Sequence, residues 1–163
     1  MNIRLGILMV IAPVLVGCAT LSPDDPLYKH RHDLLARASQ GDAAAQYEVG
    51  MTYCCGFDQT RNTVTARIWF CRAAVQGYRQ AQYQLGRLYD QHAVKWRVRT
   101  ATQDIILSHT WYSLAADQGD QMAALYKDTL EHEMSARDIA AAEKLKSHWR
   151  QRVCTDVSKV ASH

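Results

Sequence analysis

The six residues AQYEVG at 45–50 return almost unchanged as AQYQLG at 81–86, 36 residues later. A repeat at a fixed period constrains a fold more than any single motif, because each copy must form the same unit and pack against its own kind. In the first copy Ala45, Val49 and Tyr53 fall at i, i+4 and i+8, one stripe of a helix. Gly50 lies on the edge of that stripe, where a missing side chain admits a close neighbour. A glycine inside a helix costs about 1 kcal/mol relative to alanine, so a packing gain is expected there. Gly56 ends this helix. After a loop, ARIWFCRAAVQG places Ala66, Trp69, Ala73 and Ala74 at helical spacing, with Gly77 as a left-handed cap.

The second copy has the same plan. Ala81, Leu85, Gly86 and Tyr89 make a first helix, and Ser108, Trp111, Ala115, Ala116 and Gly119 make and end a second. The dipeptide Gln-Gly stands at 40–41, 76–77 and 118–119, so the second unit holds an insertion relative to the first. Asp42 and Asp120 follow two of these glycines and are expected to cap the next helices. A third unit is degenerate, with Lys127 and Asp128 where Leu-Gly stood before. It still provides two stripes: Met122, Tyr126 and Leu130, then Ile139, Ala142, Leu145, Trp149 and Val153, with Ser135 and Asp138 resembling a capping box. Beyond the leader the prolines are Pro23 and Pro26, and the remainder is rich in good helix formers. A helical hairpin cannot bury its own apolar face, and stacking like faces makes one continuous core. The domain is expected to be all-α.

These patterns resemble the Sel1-like repeat, a relative of the tetratricopeptide repeat, with a pattern near A-x-x-x-L-G-x-x-Y-x-x-G, a loop, then A-x-x-W-x-x-x-A-A-x-x-G. The likeness covers 45–77 closely. It covers 81–119 with His92 in place of the second glycine and Ser108 in place of the alanine. It implies a short right-handed α-solenoid of stacked helical hairpins: a half-unit at 27–41, repeats at 42–77 and 78–119, a capping unit at 120–153 and a tail at 154–163. Ala45, Gly50, Tyr53, Gly56, Trp69, Gly77, Ala81, Gly86, Tyr89, Trp111 and Gly119 are then architecture.

The N-terminus has a different purpose. Arg4 and an apolar run through Gly17 read as a secretory signal, too short for the roughly 20 residues that span a bilayer. Leu15-Val16-Gly17-Cys18 resembles the lipobox of bacterial lipoproteins, which implies cleavage after residue 17 and lipidation of Cys18. Ala19 rather than Asp after that cysteine implies the outer membrane, facing the periplasm, with the inner membrane as the alternative. Residues 18–26 read as the lipidated cysteine and a tether.

Little in the chain points to catalysis. His132-Glu133 lacks the second histidine of a zinc-protease helix, and His30 and His32 lie on different sides of a helix. Ser39 and Ser135 have no evident triad partners, and no phosphate-cradling glycine loop is present. No metal, cofactor or nucleic-acid partner is expected, the net charge being only +3. Four cysteines follow Cys18, and an oxidising compartment permits bridges. A bridge between Cys71 and Cys54 or Cys55 is within reach if the loop folds back. Cys154, two units away, is expected to be out of reach of the other three. Within HAVKWRVRTATQD (92–104), Lys95, Trp96, Arg97 and Arg99 set a large aromatic amid cations, a candidate contact surface. The expected function is a non-catalytic, membrane-anchored scaffold for an envelope protein or peptide. The alternatives are a structural lipoprotein without a dedicated partner, or a cell-wall or β-lactam hydrolase.

Overall fold

The computed structural model describes residues 24–55, 62–95, 101–148 and Cys154. The leader with Cys18, Gly56 of the first loop, the Cys55 and Lys95 side chains, and Trp96, Arg97 and Arg99 lie outside this set. Among the described residues there are seven helices and no strand: α1 Pro26–Ser39, α2 Ala43–Cys55, α3 Thr63–Ala74, α4 Arg79–Lys95, α5 Ala101–Ala116, α6 Gln121–Glu131 and α7 Ala136–Ser147. Consecutive helices pack pairwise from α1 through α6, and α7 lies back against α5. This is an α-solenoid in which α2/α3 and α4/α5 are complete hairpins.

The start and stop signals behave as their chemistry requires. Asp25 accepts a hydrogen bond from the Leu27 N–H at 2.7 Å, and Pro26 occupies the first turn, where its missing N–H costs nothing. Pro26 therefore belongs to α1 and not to the tether. Gly41, Gly77 and Gly119 have φ of 99°, 86° and 85°. Their following residues donate back across the turn, Asp42 to Arg37 O, Tyr78 to Ala73 O and Asp120 to Ala115 O, at 3.1–3.2 Å. These are Schellman turns, and they give the chain the same exit angle three times. Asp42 and Asp120 then cap α2 and α6 by accepting from Ala45 N and Ala123 N. Ser135 caps α7, but its partner Asp138 accepts from the Ser135 hydroxyl and not from its backbone N–H.

Inside the hairpins, alanine lets helices close up and aromatics fill what remains. Ala45, Ala66, Ala73, Ala74, Ala81, Ala115 and Ala123 have no solvent exposure, nor do Phe70, Leu85, Trp111 and Tyr112. Each fully buried large apolar side chain is worth about 1.5–3 kcal/mol. The glycines in the repeated words face these aromatics. A Cβ on Gly50 would lie 2.6 Å from Cδ1 and Cε1 of Phe70, and one on Gly86 would lie 2.5 Å from Cδ1 of Tyr112. The close neighbour is thus an aromatic ring from the same hairpin, carried by the residue after Trp69 or Trp111. Ser108, which replaces an alanine of the pattern, donates to Gly86 O at 2.9 Å and ties α5 to α4.

A glutamine ladder joins the units. Gln46 Nε2 donates to Ala38 O at 3.0 Å, and its Oε1 accepts from Gln76 Nε2 at 2.9 Å. One unit on, Gln82 Nε2 donates to Ala74 O at 3.3 Å and its Oε1 accepts from Gln118 Nε2 at 2.6 Å. Each glutamine therefore satisfies a carbonyl of the preceding unit and an amide of its own. Ala124 stands at the corresponding place in α6, so the ladder ends there.

The cysteine expectation is overturned. Cys71 is bonded to Cys154, with Cα atoms 5.8 Å apart across 83 residues of sequence, and so not to Cys54 or Cys55. Counting units along the chain overstated the distance. Because α7 folds back on α5, Leu145 and Cys154 pack on the same core cluster as Cys71 of α3. The few residues from His148 to Cys154 can span up to about 20 Å, enough to cross one helix. Cys154 accordingly belongs to the domain rather than to a tail.

Candidate functional site

Three seams result from the stacking, where the second helix of one unit meets the first helix of the next: α1/α2, α3/α4 and α5/α6. Equivalent positions in them are Arg31, Arg67 and His109; Leu35, Cys71 and Ser113; Val49, Leu85 and Lys127; and Tyr53, Tyr89 and Glu131. In the second seam the Arg67 guanidinium lies 5.6 Å from the Tyr89 ring centroid, and Cys154 is fixed to Cys71. In the third, His109 Nε2 donates to Glu131 Oε1 at 2.8 Å, with Lys127 Nζ 3.5 Å from the same oxygen. The hydrogen bond from His109 holds the Glu131 carboxyl below its ordinary range, and Lys127 adds to this.

Ser113 Oγ lies 3.4 Å from His109 Nδ1, so serine, histidine and glutamate form a chain that looks like a nucleophile relay. Its setting makes it a brace between α5 and α6. His109 has no exposure and Ser113 only 2%, so a substrate carbonyl has no route to Oγ. A nucleophile must lie within reach of both its base and its substrate. Sequence reading passed over His109 because no spacing motif marks it. The usable signal was that Arg67 and Tyr89 change together, to histidine and glutamate, at their equivalents.

A second feature runs along the first helices of the units. Tyr47 of α2, Tyr83 of α4 and Leu125 of α6 are equivalent positions, and Met122 sits one turn before Leu125. Tyr47 packs on Phe70 at 5.8 Å between ring centroids and reaches Tyr78 at 5.4 Å. Tyr83 packs on Tyr112 at 5.9 Å and reaches Tyr126 of α6 at 6.2 Å, while Tyr112 and Tyr126 stack at 5.4 Å. Burial raises the Tyr83 and Tyr112 phenols above their ordinary range. The Arg87 guanidinium lies 5.9 Å from the Tyr83 centroid. At the end of the row the apolar side chains are open: Met122 is 48% exposed and Leu125 58%. Half-buried tyrosines, an arginine and exposed aliphatics in register are the composition of a polypeptide contact surface.

The residues singled out from sequence separate cleanly. Ala45, Ala81, Tyr89 and Trp111 are core. Tyr53 and Trp69 are half-buried, with Arg72 4.5 Å from the Trp69 ring centroid. His30 and His32 are exposed, and among the described residues no cluster of His, Cys, Asp or Glu has the makings of a metal site.

The Sel1 repeat family matches residues 43–78 and 79–120, the two complete hairpins with their closing turns. No curated protein and no solved structure matches the chain. Sel1 repeats serve in general as protein-interaction scaffolds rather than as catalysts. The two matched units, the helical stack and the repeated seams together place this chain in the Sel1-repeat family.

Proposed function

We propose that the chain is a lipid-anchored envelope scaffold that holds a partner polypeptide against the first-helix row. The observation that carries this reading is the register of Tyr47, Tyr83 and Leu125, ending on exposed Met122 and Leu125. Met122 and Leu125 are exposed and lie outside the buried core clusters. The anchor in this reading is Cys18, on the likeness of Leu15-Val16-Gly17-Cys18 to a lipobox. The Cys71–Cys154 bridge suits an oxidising compartment such as the periplasm. Lys95, Trp96, Arg97 and Arg99 form a second contact for the same partner. The reading is of a binding protein without turnover.

The test is a photo-crosslinker placed at Leu125 and, separately, at exposed Lys144 on α7, in cells with intact envelopes. A discrete adduct from position 125 that is absent from 144 and weakened in a Met122→Ser background supports the row. Equal adducts from both positions would discard it. Cys18→Ser should release the protein from the membrane fraction, and retention of the variant there would remove the anchor. Replacing Trp96, Arg97 and Arg99 by alanine should weaken the position-125 adduct; an undiminished adduct would exclude the loop.

A further inference from the structure

The three seams are built on one plan, and two of them are filled. In α3/α4 the arginine rests on a tyrosine ring and a length of polypeptide arrives at Cys71. In α5/α6 the histidine is bonded to a carboxylate. Among the described residues the α1/α2 seam has neither. It keeps a cleft of about 110 Å³, open to solvent and lined by Arg31, Leu34, Leu35, Val49, Thr52 and Tyr53. Leu35, the equivalent of Cys71, is 39% exposed. Among the described residues Arg31 makes no ion pair, although Arg37, two turns along α1, is paired with Asp42 and Asp33.

We propose that this cleft takes one apolar residue bearing a carboxylate, supplied by a polypeptide partner. Each part of that description comes from the cleft. Leu34, Leu35 and Val49 make an apolar floor, and an apolar cavity of about 150 Å³ is enough to hold a benzene ring. At about 110 Å³ the cleft is smaller than that, suits a single Val- or Leu-sized side chain, and is far below the roughly 300 Å³ where drug-sized ligands begin. Arg31 is the one charged lining group, and its fork of donors matches a carboxylate. That the occupant is polypeptide follows from the second seam, where the same position is filled by the protein's own chain at Cys154. The carboxylate is the main-chain carboxylate of a C-terminal residue, because one residue then carries both the apolar group and the charge that the small cleft and Arg31 ask for. The proposal rests on the reading of the chain as a polypeptide scaffold but uses a different surface from the tyrosine row.

The experiment uses the whole mature chain and methyl-resolved NMR of Leu34, Leu35 and Val49. The probes are three acetylated pentapeptides of glycine and serine: one ending in leucine with a free carboxylate, the same peptide amidated, and an amidated peptide ending Asp-Leu. The free acid should shift these methyl resonances, and the plain amide should do so at least fivefold more weakly. Arg31→Gln, a change at an exposed position, should weaken the free acid about fivefold to tenfold and abolish its preference over the amide. Thr52→Leu should fill the rim and reduce both. Binding of the Asp-Leu amide equal to the free acid overturns the assignment of a C-terminal residue. Equal binding of acid and plain amide, or a wild-type response in Arg31→Gln, overturns it. So does a cleft that shifts with protein concentration alone, because a second copy then fills it. A silent cleft alongside a specific adduct from Leu125 overturns this proposal and leaves the scaffold reading standing.

Discussion

The first and second seams differ in occupancy more than in residue type. Both have arginine at the same place, 31 and 67, and tyrosine facing it, 53 and 89. In the second seam Arg67 is drawn onto Tyr89, and the equivalent of Leu35 has become a cysteine that captures Cys154. In the first, among the described residues, Arg31 has no such contact and the floor is open. One leucine-to-cysteine difference, with a chain end brought near by α7, separates a sealed joint from a cleft. The repeat pattern therefore fixes the frame of a seam, and the residues it leaves unspecified decide whether the seam is structural or available to a partner.

The largest effect should come from undoing the seal. Cys154→Ser removes a cross-link across 83 residues of sequence, and losing a native bridge of this kind typically costs about 2–5 kcal/mol. Leu35→Ser, at the equivalent point in the open seam, should cost less than about 1 kcal/mol because the side chain is already partly solvated. Non-reducing thermal melts of the two variants measure the contrast, and similar losses would erase it. Next come the glycines. Gly50→Ala and Gly86→Ala each drive a methyl into an aromatic ring, Phe70 or Tyr112, at about 1–3 kcal/mol. The two losses should match in denaturant titrations, since the hairpins are alike where the seams are not.

Gln46→Ala and Gln82→Ala follow, each leaving a buried carbonyl, Ala38 O or Ala74 O, without its side-chain donor. About 1–2 kcal/mol is expected for each, and equal values would show that the ladder is indifferent to what fills the seam. The smallest effect lies in the third seam. Hydrogen bonding from His109 depresses the Glu131 pKa in the folded state. Its contribution is thus complete above the unfolded value of about 4.3 and is lost as pH falls through the lower folded value. Glu131→Gln should flatten the acid limb of stability below about pH 4.3 and leave its shape at pH 7 unchanged. Denaturant midpoints measured across that range read it directly.

The solenoid and its capping turns were legible in sequence because they depend on local signals. Gln-Gly followed by aspartate specifies a Schellman turn and the next cap within a few residues. Gly50 and Gly86 were legible as close approaches, though not the ring each one meets, since Phe70 and Tyr112 stand beside tryptophans that draw attention first. The Cys71–Cys154 bond was misjudged because it depends on how α7 folds back, which no local pattern encodes. The His109–Glu131 brace and the glutamine ladder were missed for a related reason. Gln46 and Gln82 sit in plain view in the duplicated words, but their partners Gln76 and Gln118 lie at the far ends of their own units.

The bridge between Cys71 and Cys154 also divides the molecule mechanically. Tension applied between the N-terminal side and the far C-terminus passes from Cys71 to Cys154 through the sulfur atoms. Everything between those residues, including α4, α5, α6 and α7, is left out of the loaded path. At roughly 3.3–3.6 Å per residue, that conceals about 280 Å of contour length from the pull. A protein tethered at one end to a membrane and held at the other by a partner would yield only α1, α2 and most of α3. The open seam lies wholly within the stretch that bears the load.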